Sequence, residues 1–145
     1  MKKRRTPAES ESTDSVRAIY AELDARPLTR NCTLRTECCH FKITGRTPFL
    51  TKGEAVLAAR ALRAAGRTKL PVREDGGCPL LHPTTQRCLI YKDRPFACRT
   101  HFCAGAGGPV PRADVIDLIR RLETIDAELH GWGPRQLPVA IAAEL

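Results

Sequence analysis

The chain has 145 residues, which is enough for one domain of ordinary size and too short for two. Fewer than a quarter of them are Leu, Ile, Val or Phe, so the expected apolar core is thin. The seven cysteines are too few for a disulfide-dense secreted scaffold. The net charge of +8 points to nucleic-acid or acidic partners, although bound thiolates would offset part of it.

The N-terminus is basic but carries no targeting signal. No apolar stretch of signal-peptide length follows the charges at residues 2–5, and no window in the chain could span a membrane. We therefore expect a cytoplasmic protein with no membrane partner, made of a disordered basic tail (1–9) and a single domain (10–145). In a reducing compartment an odd number of cysteines favours metal ligation or redox chemistry over disulfides.

The first predicted helix covers residues 10–25. Its apolar side chains recur at the three-and-four spacing of a helix with one buried face, and Pro27 ends the pattern. These side chains are Val16, Ile19, Tyr20 and Leu23. Residues 30–49 have no helical period, and the alternation of Phe41 and Ile43 indicates a short strand at most.

A capping box predicts the second helix. Thr51 accepts a hydrogen bond from the amide three residues on, Glu54 reaches back, and Gly66 stands at the expected left-handed end. The inner face of this helix consists of Val56, Leu57, Ala61, Leu62 and Ala65.

The third predicted helix opens at Pro111 and ends at Gly131. Its apolar stripe consists of Val115, Leu118, Ile119, Leu122, Ile125 and Leu129. Residues 67–109 are rich in Pro and Gly and contain one brief predicted strand, Leu89 to Tyr91. The last dozen residues, which include two prolines, are expected to drape over the body.

These elements predict the fold class. It is mainly α with long irregular cysteine-rich loops, a small single domain in which about three helices surround a loop core that a metal organises. The metal enters the prediction because a long loop inside a compact domain otherwise lacks partners for its backbone.

All seven cysteines are candidate metal ligands. They are Cys32, Cys38, Cys39, Cys78, Cys88, Cys98 and Cys103. Thiolates suit zinc, Cu(I) and iron–sulfur clusters, and four of them close one site. Seven exceed the needs of one ion, so three only pack, or the site is polynuclear, or His82 or His101 completes a second site. No pair has the Cys-x2-Cys spacing of zinc fingers, which argues against a finger that reads nucleic acid.

Two arginines flank one of these cysteines. Arg94 and Arg99 would stabilise a thiolate at Cys98 and lower its pKa. They could equally pair with Asp93 or with a carboxylate from a helix. The residue pattern leaves a structural ion pair and an anion-binding role equally open.

The cysteine motifs form an ordered series between residues 32 and 103. After Cys32 come Cys38-Cys39, the capped helix, Cys78-Pro79-Leu80-Leu81, Cys88-Leu89-Ile90-Tyr91, Arg94-Pro95 and Cys98-Arg99. This series resembles the YkgJ-type cysteine-cluster family of zinc- or iron-chelating domains. The resemblance implies chelation by Cys38, Cys39, Cys78, Cys88 and Cys98, with Cys32 at the first motif position and Cys103 beyond the match. The family usually has one further cysteine where this chain has Arg35, so the number of ligands stays open.

Two functions follow from these observations. The first is a metal-binding protein whose cysteines chelate zinc or iron, with an iron–sulfur cluster as one form, in a structural or redox role and with a protein or peptide as a further partner. The alternative is a basic nucleic-acid-associated or adaptor module with a purely structural metal, but the aromatic content of 5% gives nucleic acid little to stack on. Whether the protein is an enzyme is undecided. The candidates for proton transfer are His82, His101 and Asp93.

Overall fold

A computed structural model describes residues 6–27, 47–71, 73, 76–101 and 108–145. In this part of the chain the elements are α1 (Pro7–Asp24), β1 (Phe49–Leu50), α2 (Lys52–Ala64), α3 (Phe96–Thr100), α4 (Ile116–Glu128), β2 (Arg135–Gln136) and α5 (Leu137–Ala142). Two 3-10 turns cover Tyr91–Asp93 and Arg112–Asp114. The two short strands pair antiparallel, with Phe49 opposite Gln136. The described residues are therefore mainly helical, as the sequence predicts.

The first helix begins three residues before its predicted start. Glu9 donates its backbone N–H to Thr6 Oγ1 at 3.2 Å, and Glu9 Oε2 accepts from Thr6 N–H at 3.3 Å. Together with Pro7 in the first turn, this capping box starts the helix within the stretch expected to be disordered. Residues 1–5 lie outside the described residues. The four predicted inner-face side chains are all buried.

The second predicted helix is confirmed as α2. The capping box is present, and Gly66 takes the left-handed conformation with φ +81°. Three of the predicted inner-face residues, Val56, Leu57 and Leu62, are buried. Ala61 is half-buried and Ala65 is exposed, because the helix is ending there.

The third predicted helix is confirmed with different ends. A 3-10 turn follows Pro111, and the α-helix proper, α4, starts at Ile116. At its C-terminus His130 takes the left-handed conformation, with φ 56°, in the place expected of Gly131. Gly131 is needed for another reason, because a Cβ at this position would clash with the carboxylate of Asp126. The predicted stripe is buried except at Ile119, which is partly buried.

One local prediction is wrong. Leu89 to Tyr91 is not a strand, since it forms a turn that leads into the 3-10 turn, and the nearby antiparallel bridge joins Leu81 to Cys88 instead. A run of three apolar residues is too short to distinguish a strand from buried turn residues. The C-terminal dozen, expected to drape over the body, form β2 and α5, and α5 packs against the core through Leu137, Ala140 and Ile141. Pro138 is tolerated because it lies in the first turn of α5, where no intrahelical donor is required.

The core has two apolar clusters with α2 between them. Leu57 of α2 belongs to the first, with the inner faces of α1 and α4 and with Phe96. Leu62 belongs to the second, with β1, α5 and the three side chains Leu80, Leu81 and Ile90. Apolar side chains hold the described elements together, and the predicted metal-organised core is not seen among them. No helix in this part of the chain is long and apolar enough to cross a bilayer.

Candidate metal centre

Three of the seven candidate cysteines fall within the described residues. Cys78 is buried, whereas Cys88 and Cys98 are partly buried. All three lie on residues 76–101, which we call the cysteine segment. The other four candidates, Cys32, Cys38, Cys39 and Cys103, lie outside the described residues.

The first half of the cysteine segment is a compact turn that brings the regions around Cys78 and Cys88 together. Leu81 N–H donates to the carbonyl of Cys78 at 3.0 Å, and Leu89 N–H donates to the carbonyl of Leu80 at 2.8 Å. Cys78 belongs to the second core cluster and Cys88 packs against it. The apolar residues between and beside the two cysteines thus anchor both positions to α2 and α5.

Cys88 has surroundings that favour and oppose its thiolate at once. Burial raises the pKa of the Cys88 thiol, while the backbone N–H of Ile90 and the cation of Arg94 lower it. A partly buried thiolate needs positive charge nearby, and a metal ion is the strongest such source in proteins. The donor chemistry at Cys88 therefore fits a thiophilic metal.

Cys98 lies on α3, whose N-terminus is fixed by a buried carboxylate. Glu54 Oε1 accepts from the backbone N–H of Phe96 at 2.8 Å and from the hydroxyl of Tyr20 at 2.9 Å. Glu54 Oε2 accepts from the backbone N–H and the hydroxyl of Thr51 at 3.0 and 3.1 Å. Burial raises the pKa of Glu54, and the four donors oppose that rise. One side chain thereby ties α1, α2 and the start of α3 together.

Arg99, the neighbour of Cys98, is buried and fully engaged. Its guanidinium donates to Asp24 Oδ2 at 2.7 Å and to the carbonyls of Lys92 and Arg94 at 2.6 and 2.8 Å. It also stacks on the Tyr20 ring, 4.3 Å from the centroid. Burial, followed by the charge of Glu54, holds the pKa of the Tyr20 hydroxyl well above its ordinary value. Of the two roles that the sequence leaves open for Arg99, the structure shows the ion pair with a helix carboxylate.

Arg94 and Asp93 lie nearer the surface. Arg94 stacks on the Tyr91 ring at 4.3 Å and donates to the Tyr91 carbonyl at 3.3 Å. Asp93 pairs with Arg17 of α1 at 3.1 Å. Asp93, one of the candidates for proton transfer, is therefore a second link between α1 and the cysteine segment.

The two candidate histidines lie at opposite ends of the cysteine segment's turn-and-helix part. His82 Nδ1 accepts from the backbone N–H groups of Thr84 and Thr85, both at 3.1 Å, so only Nε2 remains for a ligand. His101 ends α3 and is half-buried. It therefore directly follows the helix that carries Cys98.

Among the described residues, no group of three or more His, Cys, Asp or Glu side chains is placed to hold a metal ion. The structure therefore does not bring the thiols of Cys78, Cys88 and Cys98 together as a set of three ligands.

A family model described as "CxxCxxCC: Putative zinc- or iron-chelating domain" matches residues 30–122. This match covers more than half of the chain. The protein belongs to this family of chelating domains. Membership supports binding of zinc or iron and confirms the resemblance seen in the cysteine series. No curated protein and no solved structure matches the chain.

The family's name describes a cysteine pattern that this chain departs from. Its spacing places cysteines at positions 32, 35, 38 and 39, and position 35 is Arg. This member of the chelating-domain family therefore offers one thiol fewer in its opening motif.

The sequence interpretation missed the side chains that hold the cysteine segment. Tyr20 looked like one more inner-face residue of α1, and Glu54 looked like a local cap. Asp24 carried a signal, because an acid in the last turn of a helix opposes the helix dipole and so suggests a partner elsewhere.

Proposed function

We propose that the protein binds zinc or iron through Cys78, Cys88 and Cys98 together with the thiols of residues 32–39, and that the metal chiefly holds the cysteine segment in place. Family membership carries this proposal. It is supported by the three thiols that the cysteine segment contributes within 21 residues. A redox role with an iron–sulfur cluster is the alternative form of the same site, and Cys103 is the cysteine least required.

The chain's own residues would prepare the thiols for the metal. A bound metal supplies positive charge that replaces the thiol protons. Ile90 N–H and Arg94 favour the thiolate of Cys88 before the metal arrives. Glu54 and Arg99 fix the ends of α3, so that the position of Cys98 is set by α1 and α2.

The proposed role also accounts for the layout of the chain. The cysteine segment has one helix of five residues and one 3-10 turn, and it is anchored to the core by its apolar side chains and by the bonds of Phe96 and Arg99. We propose that residues 10–145 form one domain and that the protein works in the cytoplasm, where its thiols stay reduced.

The direct test is the metal content of the protein purified without chelator. Elemental analysis should find zinc or iron bound in a fixed ratio to protein. A colourless zinc protein supports the structural role, whereas a brown protein with absorption near roughly 400 nm selects iron and the cluster form. A folded protein that carries neither metal contradicts the proposal.

The ligands are tested by replacing single cysteines with serine and measuring metal per chain. C38S, C78S, C88S and C98S should each lose metal. C103S is the matched control and should keep it. Retention of metal by three of the first four variants would show that the ligand set is wrong.

A further inference from the structure

The large apolar side chains that the described residues leave exposed are concentrated in one part of the molecule. Four side chains qualify, and three of them, Phe49, Trp132 and Val139, belong to β1, to the turn at residues 131–133 and to α5. We call β1, β2, α5 and this turn the C-terminal corner. Trp132 is the most exposed of the four, and a large exposed apolar side chain of this kind is a candidate contact for a partner.

Trp132 is 90% exposed, and the turn that carries it is firmly built. Gly131 N–H donates to the Asp126 carbonyl at 2.7 Å, and Gly133 N–H donates to Asp126 Oδ2 at 3.0 Å. Gly133 has φ 84°, a conformation that glycine adopts at little cost. The residues on both sides of Trp132 are therefore held by hydrogen bonds to Asp126, which fixes the indole in its exposed position.

A cleft of about 230 Å³ lies beside Trp132. The residues that line it are apolar, such as Trp132 and Ala143, and charged, namely Lys52, Arg135 and Glu144. Pockets for drug-sized ligands span roughly 300–1,000 Å³. The cleft is smaller than these, and its size suits one apolar side chain of a partner.

The charge around the cleft favours an acidic occupant. Arg135 lines the cleft, is exposed and forms no ion pair with another described residue. Lys52 lies 4.0 Å from Glu144, which also lines the cleft, so these two charges offset each other and Arg135 is the cation that a carboxylate of a ligand can pair with. The Asp126 carboxylate is buried, accepts backbone N–H groups of Lys52 and Gly133, and is not one of the residues that line the cleft. A second copy of the chain is disfavoured by the net charge of +8.

We propose that the C-terminal corner docks an acidic peptide segment of a partner protein. An apolar side chain of the peptide enters the cleft against Trp132, and a neighbouring carboxylate pairs with Arg135. Trp and Arg are the residue types that most often dominate binding energy at protein interfaces. Trp132, β2 and α5 lie beyond residue 122, where the match to the chelating family ends, so this surface is additional to the family's metal chemistry.

The chain carries its own reporter for the test. Trp132 is the single tryptophan, so the intrinsic tryptophan fluorescence observes the cleft directly. The probe is a twelve-residue peptide in which single Leu or Phe residues separate pairs of Glu. Its titration should give a saturable shift of the emission to shorter wavelength. The same peptide with Ala in place of Leu and Phe should bind at least about tenfold more weakly, because the cleft is left empty.

Two charge-reversal variants separate a built site from general attraction to a basic protein. R135E should weaken binding of the peptide at least about tenfold. R120E is the matched control, because Arg120 is exposed on α4 and is not a lining residue of the cleft, and it should change binding less than twofold. Circular dichroism of both variants should equal that of the parent protein.

Three outcomes would overturn the proposal. One is the lack of a saturable fluorescence change at millimolar peptide, and another is equal weakening by R135E and R120E. The third is binding of a single-stranded oligonucleotide of equal charge at least as tightly as the peptide, which would assign the corner to nucleic acid. None of these results depends on whether the cysteines bind metal.

Discussion

Two buried carboxylates stand at the same end of α2 and serve different parts of the molecule. Glu54 accepts from the backbone N–H of Thr51, and Asp126 accepts from that of Lys52 at 2.7 Å. Glu54 also accepts from the Tyr20 hydroxyl and the backbone N–H of Phe96, and so supports the cysteine segment. Asp126 also accepts from the backbone N–H of Gly133, and so supports the C-terminal corner.

The comparison shows how two carboxylates at one end of a helix can serve different regions. Each carboxylate caps α2 locally and also binds one distant backbone N–H, which fixes a loop against the helix. Glu54 supports the helix of Cys98, whereas Asp126 holds the turn at residues 131–133 from α4. If the proposed metal site is right, loss of metal should be felt in the cysteine segment and hardly at the turn at residues 131–133.

Removal of the metal should have the largest effect. Structural zinc sites contribute about 10–16 kcal/mol of apparent binding free energy in small peptides. We therefore expect metal removal to lower the free energy of local unfolding of the cysteine segment by several kcal/mol. After treatment with a strong chelator, hydrogen exchange should accelerate at the amides of His82 and Leu89. The amide of Gly133 should keep its protection, because its acceptor is Asp126 on α4. Equal acceleration at all three amides would remove the contrast between the regions.

Glu54→Gln should destabilise the protein by about 3 kcal/mol. Glutamine keeps one side-chain oxygen and replaces the other with an NH2 group, so the donors that faced the lost oxygen have no acceptor. Each buried donor left without an acceptor lowers the free energy of unfolding by about 1–3 kcal/mol. Because Phe96 begins the helix of Cys98, E54Q should also release metal to a chelating dye at least about tenfold faster. Urea unfolding and stopped-flow absorbance measure the two effects.

Asp126→Asn is the matched control for that variant. It removes one acceptor from a buried carboxylate that bonds only to backbone, and should cost about 1–2 kcal/mol. Its rate of metal release should stay within twofold of the parent rate, since the Asp126 carboxylate accepts from Lys52 and Gly133, which lie outside the cysteine segment. Equal release rates in E54Q and D126N would mean that Glu54 supports the fold alone.

Arg99→Lys should cost about 2 kcal/mol. Lysine cannot reproduce a planar group that stacks on Tyr20 while donating to Asp24 and to two carbonyls. Half of the Asp24 side chain is exposed, which limits the contribution of the ion pair itself. Arg17→Lys provides the comparison, because its pair with Asp93 is exposed and should contribute at most about 0.5 kcal/mol. Thermal unfolding of both variants at neutral pH measures the difference.

The three long helices could be predicted because each has a continuous apolar face. Periodicity located α1, α2 and α4 to within a few residues, and their ends differed where caps decided them, as at Thr6 and His130. The short α3 and α5 carry no such signal in five or six residues. Their positions depend on tertiary contacts, such as the bond from Phe96 to Glu54, that no local pattern reports.

The candidate site was predictable in its chemistry and not in its geometry. Clustered cysteines in a loop-rich stretch indicate a metal whatever the fold, and the family match agrees. The role of Arg99 was undecidable from the sequence, because its partner Asp24 lies 75 residues earlier and is brought near only by the packing of α1 on α2. The fixed placement of Trp132 likewise depends on Asp126, which looks like an ordinary helix residue in the sequence.

Tyr20→Phe should have a small effect at neutral pH and a distinctive dependence on pH. Loss of the hydroxyl bond to Glu54 should cost about 1 kcal/mol, because three donors to the carboxylate remain. The folded-state pKa of Tyr20 is raised well above the ordinary value of about 10, so the buried hydroxyl stays protonated while the unfolded chain ionises. Stability from Tyr20 is therefore fully present below about pH 10, and the parent protein should lose about 1.4 kcal/mol per pH unit relative to Y20F above it. Urea unfolding of both proteins at pH 8 and pH 11 measures this difference. An equal difference in the free energy of unfolding at both pH values would mean that the Tyr20 hydroxyl ionises in the folded protein as it does in water. In that case α1 would not bury it against Glu54.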